Sequence, residues 1–278
     1  MHQKTINRCM IIVMLTVFSF LGLYISTNIN ETPEEVISEE ELLPEETPDI
    51  SNGFGEYDNA VDCYLAAMAV LRNQTDYERN LSGDIVAKAA FVSVVQKMKS
   101  NITVNKAGDV YFEEVTLSDS PYSSSTAMKA FMKKDASTID VVTSKEIDSN
   151  YNATYDDDYT TKTLSQYKQD HGHLPLDEVY IVSNKTLKKV NSFEFDGEHY
   201  RFSIELKPST ATSGYKNRIK KSAGASKLSY KSCVLDVVID KNGYVQQVNI
   251  NEKYSVNVGI DADVTSELKL SYAYNLSA

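Results

Sequence analysis

Between Phe193 and Val258 apolar and polar residues alternate, the pattern of a strand with one buried face. Tyr200, Phe202, Ile204 and Leu206 share one parity, and Arg201, Ser203, Glu205 and Lys207 the other. Cys233, Leu235, Val237 and Ile239 repeat the pattern. Asp240-Lys241-Asn242-Gly243 then turns the chain, and Val248 and Ile250 lead into Tyr254, Val256 and Val258. With Asp196-Gly197 as an earlier turn, this predicts an antiparallel meander. Leu268, Leu270, Tyr272 and Tyr274 close the chain in the same alternation.

Upstream, Tyr57, Val61, Tyr64, Met68 and Leu71 fall on one helical face, with Ala60, Cys63, Ala66, Ala67 and Ala69 between them. Strands are expected over 81–86 and 91–98 and at Ile102 and Val104. A turn at Asn105-Lys106-Ala107-Gly108-Asp109 should lead into Val110, Tyr111, Phe112 and Val115. A short helix is expected over 126–134 and strands over 139–147 and 179–182, with Leu187 and Val190 leading into the first meander. From Asp148 to Pro175 apolar residues thin out, which predicts a solvated loop.

Lys4 and Arg8 precede an uncharged apolar run from Cys9 to Ile25, long enough for a short membrane-spanning helix. It reads as an uncleaved anchor or a signal peptide. Cleavage wants small residues one and three before the cut, and the exit at Ser26, preceded by Tyr24 and Ile25, offers only half of that, which points to the anchor. Basic residues before the run and acidic ones after it place the amino terminus inside and the remainder outside. From Glu31 to Asp49 there are nine acidic residues and no basic one, with Pro33, Pro44 and Pro48 breaking any helix. The expected organisation is therefore a short cytoplasmic end (1–8), an anchor (9–26), an acidic disordered stalk (27–55) and one extracytoplasmic domain (56–278).

Of the formal net charge of -11, the acidic stretch carries most, so the domain is only mildly acidic and has no excess of positive charge for nucleic acid. Cys9, Cys63 and Cys233 are too scattered for a zinc site or a disulfide framework. Asp156-Asp157-Asp158 lacks the alternate spacing of a calcium loop, and His171-Gly172-His173 has no third ligand spaced nearby. No nucleophile elbow, phosphate loop or metalloprotease motif is present. The chain therefore predicts no metal, no cofactor and no catalytic residue; a cell-envelope enzyme with an unrecognised site and a structural surface protein stand as alternatives to a binding or sensing protein.

An antiparallel sheet with one apolar face must be covered, and with few helices available it should curl around them. The fold class expected is α+β, a curved antiparallel sheet forming an incomplete barrel around one or two helices. In this order of elements the chain resembles the LolA/LppX-like superfamily of extracytoplasmic lipoproteins. The likeness is carried by the helix from Tyr57 to Leu71, the strands from Tyr77 to Met98, the Lys106-Ala107-Gly108-Asp109-Val110-Tyr111 hairpin and Asp196-Gly197-Glu198-His199-Tyr200-Arg201-Phe202. The resemblance implies a cavity that holds or senses a lipid or lipoprotein, or else a surface for an envelope protein partner. The missing lipid-attachment Cys after the apolar run departs from it.

One helix beside so wide a sheet should leave apolar surface open as a groove. Tyr64 and Met68 on the helix and Tyr200, Phe202, Leu235 and Val237 on the sheet are the candidate ligand-lining residues. The alternative is an ordinary core, closed by the 148–175 segment and the 126–134 helix. Cys63, on the helix flank, and Cys233, on the inward parity of its strand, could meet as a disulfide or stand as small buried hydrophobes.

Overall fold

The computed structural model describes residues 39–44, 48–51, 53–89, 92–119, 125–156 and 158–275. The expected anchor lies outside them, and among the described residues no helix is long and apolar enough to cross a membrane. Among the described residues, twelve antiparallel strands form one curved, unclosed sheet. They are β1 (Tyr77–Ala89), β2 (Val92–Val104), β3 (Val110–Ser118), β4 (Thr126–Met132), β5 (Thr138–Ile147), β6 (Ala153–Tyr155), β7 (Thr160–Thr163), β8 (Leu187–Phe195), β9 (His199–Leu206), β10 (Lys227–Asp240), β11 (Val245–Asn257) and β12 (Asp261–Tyr274). The spatial order is β6-β5-β4-β3-β2-β1-β12-β11-β10-β9-β8, with β7 also on β5. Two meanders are thus joined where the first strand meets the last, from Tyr77 opposite Tyr274 to Lys88 opposite Asp263.

That join is unusually close at one point. A Cβ at Gly83 would lie 2.1 Å from the Glu267 carbonyl oxygen and 2.8 Å from Leu268 Cα, so only glycine fits. The expected turns form as read, with Asp196 Oδ1 accepting from the amides of Glu198 and His199 and Asp240 Oδ1 from those of Asn242 and Tyr244.

Four helices accompany the sheet among the described residues: α1 (Glu39–Leu42), α2 (Ala60–Arg72), α3 (Leu164–His171) and α4 (Ser213–Ala223). Asn59 caps α2, its Oδ1 accepting from the Asp62 amide at 2.9 Å. The face α2 presents to the main core is its small one, Ala60, Cys63 and Ala67, which lets the helix axis approach the sheet closely. Tyr64 and Met68 flank that contact and are only half-buried. This core takes the inward residues of β9 to β12. A second core forms where Tyr167 of α3 and Leu71 meet Ile102, Phe112, Ala130 and Val141.

Several expectations are corrected. Residues 126–132 form a strand, because Phe112 and Ala130 stand opposite one another and complete the second core. Residues 179–182 make only an isolated bridge, Tyr180 to Ala211. The stretch 148–175 contains β6, β7 and α3 instead of being a plain loop. The far end of the expected stalk is not a free spacer: Leu42 is buried, its carbonyl accepts from Ser183 Oγ at 2.7 Å, and Phe54 packs on Tyr57 and Tyr200.

Candidate functional site on the concave face

Helix α4 lies across the inside of the sheet, tied to β11 at one end of its contact and to β3 at the other. It is built locally from Thr212, whose hydroxyl accepts from the Tyr215 amide at 3.2 Å, and from Gly224, left-handed at the carboxyl end after Lys220 and Lys221. Tyr215 and Ile219, one turn apart, are its buried apolar side chains. Helix α3 holds α4 closely from behind, since a Cβ on Gly172 would lie 2.4 Å from the Arg218 amide nitrogen.

Below α4, the Tyr215 hydroxyl donates to Glu252 Oε2 at 3.1 Å. Glu252 is only 1 % exposed, and burial pushes its carboxyl up to about 8, so at neutral pH it is a protonated acid. Its other oxygen, Oε1, has no hydrogen-bond partner. Ser266 stands opposite Glu252 on β12, close enough to lower that carboxyl's pKa somewhat, yet its own Oγ makes no hydrogen bond of normal geometry. The Tyr230 hydroxyl, one row further along the same face, is likewise buried and unpartnered. Three polar groups with unspent hydrogen-bonding capacity are thus collected on one apolar face.

At its other contact, α4 places Arg218 between two groups. Nη2 pairs with Glu114 Oε2 on the inward side of β3, and Nη1 donates to His173 Nε2 at 2.9 Å. A guanidinium only donates, so His173 Nε2 accepts and Nδ1 carries the proton it gives to the Leu174 carbonyl at 2.6 Å. Burial lowers the His173 pKa, in keeping with this neutral tautomer. Both ring nitrogens are therefore engaged, and no group of three or more metal-ligating side chains occurs among the described residues.

The ligand-lining residues expected from the sequence fall elsewhere. Tyr200, Phe202, Leu235 and Val237 are 2, 3, 2 and 1 % exposed and belong to the closed core beneath α2, where Tyr180, Val182 and Ala211 add further cover. Tyr64 and Met68 pack at the edge of that core. The groove expected there is filled, and the cover comes from segments that were read as strand or meander. Cys63 and Cys233 share this core as free thiols instead of forming the disulfide, with burial pushing Cys63 up to about 12 and Cys233 higher still. Neither is a nucleophile at physiological pH.

Glu252 was legible in principle. Val248, Ile250, Glu252, Tyr254 and Val256 share one parity, so a carboxyl on the apolar side was written into the alternation. Helix α4 had a signal too: Thr212, the Tyr215 and Ile219 pair, the terminal lysines and Gly224 spell a capped helix.

No family model matches this chain, and no curated protein matches it. Among solved structures it is similar to a DUF1329 family protein from Desulfovibrio piger, at 12 % identity and a TM-score of 0.29 over 77 % of this chain and 93 % of that one. A beta-barrel-like protein of DUF1849 from Brucella abortus aligns at 11 % identity and a TM-score of 0.27, over 72 % of this chain and 99 % of that one. A LolA superfamily protein from Nitrosomonas europaea aligns at 11 % identity and a TM-score of 0.20, over 74 % and 91 %. The last bears the superfamily name to which the order of elements was likened. At such scores the likeness carries nothing about function, which has to be read from the residues themselves.

Proposed function

We propose that this protein is an extracytoplasmic binding protein, tethered by the apolar segment at 9–26, that takes an amphiphilic, lipid-like molecule against the concave face of its sheet beneath α4. The observation that carries the reading is the cluster of buried polar groups, Glu252 with Ser266 beside it and the unpartnered Tyr230 hydroxyl, on an apolar face covered by the short helix α4. A protonated carboxyl and two hydroxyls suit a polar head group. Ile85, Ala87 and Ala89 on β1, only partly buried, run on from Ser266 and Val264 along the same face and suit an acyl or similar chain.

Lifting α4 exposes chiefly Tyr215 and Ile219, at about 1.5–3 kcal/mol each, or roughly 3–6 kcal/mol in all. A ligand of nanomolar affinity for the uncovered face supplies about 12 kcal/mol, of which about 6–9 kcal/mol remains once α4 is displaced, so binding stays observable near the micromolar range. The polar ties from Tyr215 and Arg218 set how firmly α4 is held. The reading is tested with a fluorescent fatty acid titrated into the wild type and into a Tyr215→Phe, Arg218→Gln double variant. Loosening α4 should tighten binding about tenfold. Failure of both chains to bind, with native mass spectrometry also finding no co-purified lipid, would sink it.

A further inference from the structure

We infer that the outer face of strands β2 to β5, on the opposite side of the sheet from α4, carries a binding cleft for an uncharged saccharide. Register puts two rows of outward side chains side by side there. One row runs Asn101, Glu113, Lys129 and the next runs Tyr111, Phe131, Asp140. Between them lies a cavity of about 490 Å³ with Tyr159 at its margin, within the roughly 300–1,000 Å³ of small-molecule sites. Tyr111 and Phe131 line it and pack against each other, ring centroids 4.7 Å apart and planes tilted by 32°. Tyr111 is 47 % and Tyr159 50 % exposed, so aromatic faces are left open to solvent in an otherwise polar surround.

A pyranose ring matches this lining because it is apolar on its C–H faces and polar around its edge. The exposed ring of Tyr111 or Tyr159 takes a face, and the amide and carboxylates around it take the hydroxyls. Those carboxylates are held in place beforehand: Thr161 Oγ1 donates to Asp140 at 2.6 Å and the Tyr155 hydroxyl to Glu113 at 3.0 Å. Two carboxylates beside the aromatic rings, Glu113 and Asp140, disfavour phosphate and other anions. A cationic guest finds its place taken, since the Lys129 ammonium already lies 3.7 Å from Glu113 and 4.3 Å from the Tyr155 ring centroid. A fully apolar guest would leave Asn101 and the carboxylates desolvated and unpaired. An uncharged, hydroxyl-rich, partly flat molecule is what remains.

The test uses the full chain in a polyoxyethylene detergent, which carries no sugar, with chitotetraose, maltotetraose, cellotetraose and mannotetraose as probes. Saturation-transfer NMR and calorimetry should find at least one probe binding, with Kd at or below about 1 mM. Tyr111→Ala and Phe131→Ala should each weaken that binding at least tenfold, and Tyr111→Phe should retain most of it. Tyr215→Phe, on the concave face, should leave it unchanged, which keeps this result separate from the fate of the amphiphile reading. The proposal is overturned if none of the four probes binds, or if the alanine variants, folded by circular dichroism, bind as the wild type does.

Discussion

Glu252 gives the sharpest test of the interior, because a buried carboxyl that titrates near 8 must make stability depend on pH in a direction opposite to ordinary acid denaturation. Its pKa is about 8 in the folded protein against 4.5 ordinarily. Between those values the folded state binds more proton than the unfolded one, so stability is fully present below about 4.5, falls as pH rises, and levels off above about 8. At 1.36 kcal/mol for each pH step, the loss across that window is about 5 kcal/mol. Glu252→Gln keeps the shape and an acceptor for Tyr215 but cannot ionise. In urea unfolding of residues 38–278, followed by tyrosine fluorescence and far-ultraviolet circular dichroism, the wild-type midpoint should fall by about 2 M relative to that of the variant between pH 4.5 and pH 8. His171 and His173, whose pKa values are lowered by burial, work the other way as pH falls below their ordinary 6.5, but they are common to both proteins and cancel in the difference. Parallel pH profiles for wild type and variant would show that Glu252 is hydrated or ionised in the fold, and the account of the concave face would fail with it.

Two further outcomes follow from the packing. Gly83→Ala forces a methyl into the Glu267 carbonyl and should cost about 3 kcal/mol in urea unfolding; an unchanged midpoint would mean that β1 and β12 are not so closely joined. In residues 38–278, Ellman's reagent should find no reactive thiol in the native protein and two after denaturation without reductant; fast native reaction, or fewer than two thiols, would contradict buried and unbridged Cys63 and Cys233.

The strands were readable where one face is apolar and the other wet, as in Tyr200 to Leu206 and Leu268 to Tyr274, because alternation reports burial directly. The chain failed to announce β4, since Met128, Lys129, Ala130 and Met132 are good helix formers; their strand conformation is imposed by neighbours in β3 and β5. Helix α4 was hidden for the opposite reason. It is basic and mostly polar, so apart from Tyr215 and Ile219 no hydrophobic period marks it, and only its caps do. For the concave site, parity revealed which side Glu252 faces, but not that α4 would roof it, because Tyr215 and Glu252 are brought together solely by the fold. The outer cleft was equally silent. Tyr111 and Phe131 read as ordinary strand residues until register sets them side by side.

The pairing of β1 with β12 has a consequence for how the protein is made. Strands β1 to β7 and β8 to β12 can each zip up through local hairpins as the chain emerges, but one edge of β1 stays unpaired until β12 arrives, roughly 200 residues later. Until then the newborn chain holds two half-sheets with bare edges, open to pairing with the wrong strand or with another copy. Fourteen residues near the end, Asp261 to Tyr274, close that gap from both sides at once. Loss of those residues would leave two separate meanders in place of a shortened sheet, and quality control would meet them as an unfinished protein.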